Sequence, residues 1–154
     1  MTSNKDIITN FYTAFQNKDY KTMQDCYIDN ATFSDAVFEN LNAAELKAMW
    51  QMLITRSTDL QIEFKNVEAY ENTGSAEWIA TYTFSASGNK VINKIKAAFV
   101  FEHGKIKEHK DSFYFYKWAK QAFGFKGLLL GWTSFFHTKV KQLAKNNLVT
   151  FMNK

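Results

Sequence analysis

His109 and Asp111 stand two residues apart in Lys105-Ile-Lys-Glu-His-Lys-Asp-Ser-Phe-Tyr-Phe-Tyr116, a stretch that follows a turn at Gly104. In an extended strand, residues at i and i+2 share a face. Alternation therefore puts Lys105, Lys107, His109, Asp111, Phe113 and Phe115 on one side, and Ile106, Glu108, Lys110, Ser112, Tyr114 and Tyr116 on the other. A face that carries His and Asp between lysines and phenylalanines is either a solvated edge or the polar floor of a pocket. If it is a floor, the chemistry can be named. A carboxylate beside a His in an aromatic enclosure can remove a proton α to a carbonyl, or move one in an aldol-type cyclisation or an isomerisation, without any cofactor. Burial raises the carboxyl pKa, which suits a base working near neutral pH. A second reading is binding alone, in which the two groups only orient a small apolar ligand. A third is a scaffold whose pocket is filled by the protein's own aromatics.

Positioning such a face takes a sheet and something to cover it. The chain opens with helical periodicity: Ser3 or Asn4 can cap a segment with Ile7, Ile8, Phe11 and Phe15 at helical spacing. Asp19 caps a short second helix with Tyr20, Met23, Cys26 and Tyr27 on its buried side. Ala31 to Phe38 reads as a short extended segment and a turn. Asn42 then caps a third helix to about Arg56, with Leu46, Met49, Trp50 and Leu53 inward. From Leu60 the period changes to two. Strands follow through Val67, from Ala76 to Ala86 and from Lys90 to Glu102, with turns at Glu71 to Gly74, Ser87 to Asn89 and His103-Gly104. Three helices followed by an antiparallel meander make an α+β fold with one sheet face covered.

After Trp118, a glycine-punctuated apolar stretch leads to a last helix capped by Thr133 or Ser134. Phe136, Val140, Leu143, Ala144, Leu148 and Phe151 form its stripe, and Lys139, Lys141 and Lys145 lie opposite. Such a helix could lie on a membrane surface. Packing onto the domain or a partner subunit is the expected outcome, because the sheet needs covering.

Composition narrows the partners. The 154 residues suit one domain, and an aromatic content of 17%, with 15 Phe, is high for a globular protein. The net charge of +4 rests on lysine, with Arg56 the sole arginine, which argues against nucleic-acid readout. Single Cys26 excludes an internal disulfide and is compatible with a cytoplasmic location. No apolar run approaches the roughly 18 residues of a membrane span, and the first residues lack a signal peptide's apolar core.

Phe11-Tyr-Thr-Ala-Phe-Gln-Asn-Lys-Asp-Tyr20, Asn30-Ala-Thr-Phe-Ser-Asp35 and Glu108-His-Lys-Asp111, in this order of helices and strands, resemble the nuclear-transport-factor-2-like superfamily. Within it, the SnoaL-like polyketide cyclases and the ketosteroid isomerases are the most similar branches. The resemblance spans Met1 to Trp118 and implies a cone-shaped domain over residues 1–118, with residues 119–154 as a helical extension packed on it. It implies a curved sheet wrapped on helices with a ligand pocket at the open end. Asp35 falls on the isomerase's catalytic base and Asp111 on the cyclase's. The isomerase's two oxyanion donors fall on Phe11 and Ala97, which cannot donate, so a divergent enzyme or a binder is implied. His109, Asp111 and Asp35 are thus the expected catalytic set, and Tyr82, Asn93, Trp50, Phe84, Phe113 and Phe33 the expected pocket lining. One His and two Asp lack a second His at helical spacing, so no metal is expected. The expected partner is a small hydrophobic carbonyl compound. Homodimerisation through the outer sheet face is expected from Trp78, Tyr114 and Tyr116, and His103 and His137 are expected to be solvated.

Overall fold

The computed structural model describes residues 2–154. Helix α1 (Asn4–Gln16) starts on a capping box in which Ser3 accepts from the Asp6 amide and Asp6 reaches back to Ser3. Asp19 caps α2 (Tyr20–Asp25), and Asn42 with Glu45 forms a second capping box at α3 (Ala43–Arg56). Strands β2 (Gln61–Tyr70), β3 (Thr73–Phe84), β4 (Asn89–Glu102) and β5 (Lys105–Ser112) form the antiparallel meander.

The N-terminal arrangement differs from expectation. Three helices do not precede the first strand: β1 (Tyr27–Ser34) lies between α2 and α3 and pairs in parallel with β5. The sheet is therefore mixed, in the order β1-β5-β4-β3-β2. Asp29 and Asn30, which suggest a helix end, sit where the β1–β5 register shifts between Tyr27 and Thr32. Their polar side chains are tolerated there because the ladder is locally broken.

The curved sheet closes on α1 and α3. Phe11, Tyr12, Phe15, Trp50, Trp78, Phe99 and Ile106 fill the space between them. Trp78 points into this core, while Tyr114 and Tyr116 lie beyond the end of β5. The aromatics that suggested a dimer face on the outer sheet therefore do not form one. Strand β5 stops at Ser112 because Trp118, Ala119 and Ala122 gain burial by turning the chain into α4 (Phe115–Phe123).

Helix α4 covers a gap in the sheet. Strand β5 pairs with β4 only from Lys96 to Glu102, so toward Asn89 β4 keeps its pairing with β3 but has no strand on the β5 side. The Gln121 carboxamide takes the missing strand's place, accepting from the Ile92 amide at 2.8 Å and donating to its carbonyl at 3.1 Å. Helices α5 (Phe125–Leu130) and α6 (Ser134–Met152) follow, the latter capped by Thr133. Phe136 and Val140 of α6 join Trp118, Ala119, Ala122 and Val91 in a second core at the mouth of the cone. Two expectations for α6 are corrected. Leu143 faces solvent. His137 is half-buried, donating from Nε2 to the Ala36 carbonyl at 2.5 Å and stacking on Phe115 at 3.9 Å.

Candidate functional site

Tyr27, at the start of β1, and His109 and Asp111, on β5, meet because β1 and β5 are neighbours. His109 is 2% and Asp111 4% exposed. The Tyr27 hydroxyl lies 2.7 Å from His109 Nδ1, and His109 Nε2 lies 2.9 Å from Asp111 Oδ1. The Trp50 indole donates to the Tyr27 hydroxyl at 3.0 Å, and the Trp78 indole reaches Asp111 Oδ1 at 3.5 Å. Every group is satisfied in one sense of the chain: Trp50 N–H to Tyr27 O, Tyr27 O–H to Nδ1, and Nε2–H to Asp111. The chain thereby holds the His109 proton on Nε2. Phe11, Phe33, Trp50 and Phe99 enclose the imidazole with ring centres 4.4 to 6.0 Å away. Oδ2 of Asp111 makes no hydrogen bond among the described residues, and Asp111 lines a surface recess.

That recess, of about 290 Å³, is bounded by Ser34, Asp35, Ala36, Lys110, Asp111, Ser112 and Phe113. Asp35 is held by a tight turn, with Oδ1 accepting from the Val37 and Phe38 amides, each at 2.7 Å. Desolvation pushes its pKa up to about 6 against the pull of those two amides. The Asp111 charge adds to the rise, and His109 opposes it. Because the folded state binds this proton more tightly, stability falls as pH rises from about 4 to about 6, and the loss persists above that. We therefore expect Asp35→Asn to raise the melting temperature by a few degrees at pH 8, on the order of 1–2 kcal/mol, and to bring no gain at pH 4. Thermal melts at the two pH values check this.

The expected lining is divided between two places. Trp50 and Phe33 pack on His109 in the main core, and only Phe113, Asp35 and Asp111 of the expected set reach the recess. Tyr82 accepts a 2.8 Å hydrogen bond from the Trp118 indole, and Phe84 lies 5.5 Å from that ring. Both belong to the mouth, whose open end is filled by Trp118, Phe123 and Phe136 rather than left as an aromatic pocket. Asn93, on the inner face of β4, is buried but outside the recess lining. One participant is not legible in the sequence: helical spacing puts Tyr27 on α2, because the alternation Tyr27, Ala31, Phe33 is broken by the bulge that hides β1. Tyr12 is buried with no hydrogen-bond partner for its hydroxyl among the described residues.

The family model described as SnoaL-like domain matches residues 8–109. No curated protein matches the sequence. Solved structures share the fold at low identity. An NTF2-like protein of unknown function from Burkholderia pseudomallei is 13% identical, with a TM-score of 0.68 over 78% of this chain and 98% of its own. A protein with a ketosteroid isomerase-like fold from Catenulispora acidiphila, in complex with trimethylamine, is 11% identical, with a TM-score of 0.68 over 83% and 97%. An LEH-like epoxide hydrolase from M. tuberculosis is 17% identical, with a TM-score of 0.61 over 80% and 90%.

Proposed function

We propose, for a chain that belongs to the SnoaL-like domain family, that it moves a proton on a small carbonyl compound with no cofactor, using Asp111 as base and Asp35 as acid. The observation that carries this is the pairing of two unlike carboxyls across one recess. Asp111 is tied through Oδ1 to His109 and Trp78, and Asp35 has a pKa raised to about 6. A carboxyl that keeps its proton to higher pH can donate, while the unbonded Oδ2 of Asp111 is placed to accept. In the reaction, Oδ2 of Asp111 takes the proton from the carbon α to the carbonyl. The C–H pair forms the enolate double bond, and the displaced π pair moves to oxygen. Protonated Asp35 donates a hydrogen bond to that oxygen, replacing the donors that Phe11 and Ala97 cannot supply. As the Asp111 carboxylate is neutralised by the proton it takes up, His109 and Trp78 keep its orientation fixed. A volume near 290 Å³ lies at the small end of ligand sites and suits a small molecule.

Proton exchange tests this without the natural substrate. In deuterated buffer, NMR of small ketones and enones should show α-deuteration above the buffer rate. Asp111→Asn should slow it by roughly 10² to 10³, in the range of general base catalysis, and the rate should fall above pH 6 as Asp35 ionises. Exchange at the buffer rate across the panel with the wild-type protein overturns the reading. The filled mouth supports a second reading, a scaffold with no turnover. There, residues 119–154 act as a built-in plug, and Asp111→Asn changes neither binding nor exchange.

A further inference from the structure

Helix α5 inverts the usual amphipathic arrangement. Phe125, Leu128 and Leu129 recur at i, i+3 and i+4, the spacing of a buried stripe, and Trp132 follows just past the helix end. Here all four face outward, with exposures of 74%, 50%, 53% and 72%. The cause lies on the opposite side. A Cβ at Gly127 would stand 2.0 Å from the Ala119 carbonyl oxygen, and one at Gly131 would stand 2.4 Å from that of Gly127. Only glycines let α5 lie this close on α4, so its small face is spent on packing and its large side chains project. Phe135, at the start of α6 and also exposed, extends the same apolar ridge.

The segment that forms this ridge carries charge of one sign, although Lys141 of α6 is paired with Glu39 at 2.6 Å. After Asp111 the chain has seven lysines and no Asp or Glu. Lys139 sits over the Phe135 ring at 5.4 Å and Lys120 over Tyr116 at 4.8 Å, so ammonium groups ride beside the aromatics. Lys126 lies within α5 itself and is exposed.

We propose that the α5–α6 corner is a docking surface for an anionic lipid bilayer, with Phe125, Leu128, Leu129, Trp132 and Phe135 entering the interface and the surrounding lysines meeting the headgroups. A Trp, two Phe and two Leu projecting beside the exposed Lys126 and Lys139 match the demands of an interfacial anchor. A second copy of the chain fits less well, because a two-fold contact would set lysine against lysine. An acidic protein would answer the charge but needs a groove or strand edge to receive it, and this ridge is neither. No helix of the described residues is long and apolar enough to cross a membrane, so the contact lies on the surface. This inference is independent of the proton-transfer reading.

Trp132 provides the measurement, since Trp50, Trp78 and Trp118 are buried and Trp132 is the exposed indole. The full chain should sediment with vesicles of phosphatidylcholine and 30% phosphatidylglycerol, with a blue shift in tryptophan emission. It should remain in solution with phosphatidylcholine alone, and release from anionic vesicles as salt rises. Lys126→Glu with Lys139→Glu should lower partitioning by about tenfold or more, and Leu129→Ser with Trp132→Ser by a similar factor, without shifting the melting temperature. No sedimentation with anionic vesicles overturns the proposal. So does a concentration-dependent blue shift without lipid, which would mark a second copy, and so does binding unaffected by both double variants.

Discussion

Replacing Trp118 with alanine is expected to lower stability by roughly 3–5 kcal/mol, the usual range for emptying a large aromatic from a core. For a chain of this length that is a fall in melting temperature of roughly 6–20 °C. The indole is packed among Phe84, Phe115 and Phe123 at centroid distances of 5.5 to 5.8 Å and donates to the Tyr82 hydroxyl. Its removal takes away the packing and leaves that hydroxyl without its donor. Free indole added to the variant should recover part of the loss by entering the space left behind, as apolar cavities accept apolar guests. A variant that melts with the wild type would show that the second core does not hold the cone's mouth shut.

Tyr27→Phe is expected to cost roughly 2–5 kcal/mol, more than a single exposed hydroxyl would, because it leaves two buried groups without partners. The Trp50 N–H loses its acceptor and His109 Nδ1 its donor, and each orphaned group carries a penalty of about 1–3 kcal/mol. The effect on chemistry follows from the same bonds. Without Tyr27, Nδ1 loses the hydroxyl that anchors it, and only the Asp111 carboxylate still positions the ring, through Nε2. Exchange catalysed by Asp111 should fall by about tenfold or more. Urea unfolding and the exchange assay read the two consequences separately. Unchanged urea stability in this variant would mean that the hydroxyl contributes no net hydrogen bonding to the core.

The sequence pattern carried the meander and, from His109 to Asp111, the inward face of β5, because long strands with one buried side display a period of two. His109, Asp111, Ala97 and Phe99 share the inner face for that reason. Ile106, expected on the other side, is buried because the β4–β5 register shifts between Val100 and Phe101. Asp35, Asn42, Thr133 and Asp19 were legible as turn or cap residues, since a side chain that accepts from its own local backbone needs no distant partner. Tyr27 was not legible. Its strand is interrupted by a bulge at Asp29 and Asn30, and its partner lies far along the chain. Tyr82 and Phe84 sit on the expected face, yet alternation reports only the side of the sheet. It could not tell that helices from the far end of the chain would cover that end of it. The continuation of β5 to Tyr116 failed because a run of aromatics satisfies both periods, and the burial of Trp118, Ala119 and Ala122 on the sheet decided for helix.

The parallel pairing of β1 with β5 also bears on the order in which the molecule assembles. The hairpins from β2 to β5 join neighbours in the chain, whereas Tyr27 meets His109 across 82 positions. Loop-closure entropy makes such a contact late and slow compared with the hairpins. A chain that has formed its meander but not yet added β1 presents His109 and Asp111 along the bare edge of β5, where an extended segment of another chain could pair. The step that completes the hydrogen-bonded chain from Trp50 to Asp111 is therefore the same one that removes this edge from reach. Crowded or concentrated refolding would face its main hazard of intermolecular pairing in the interval before that closure.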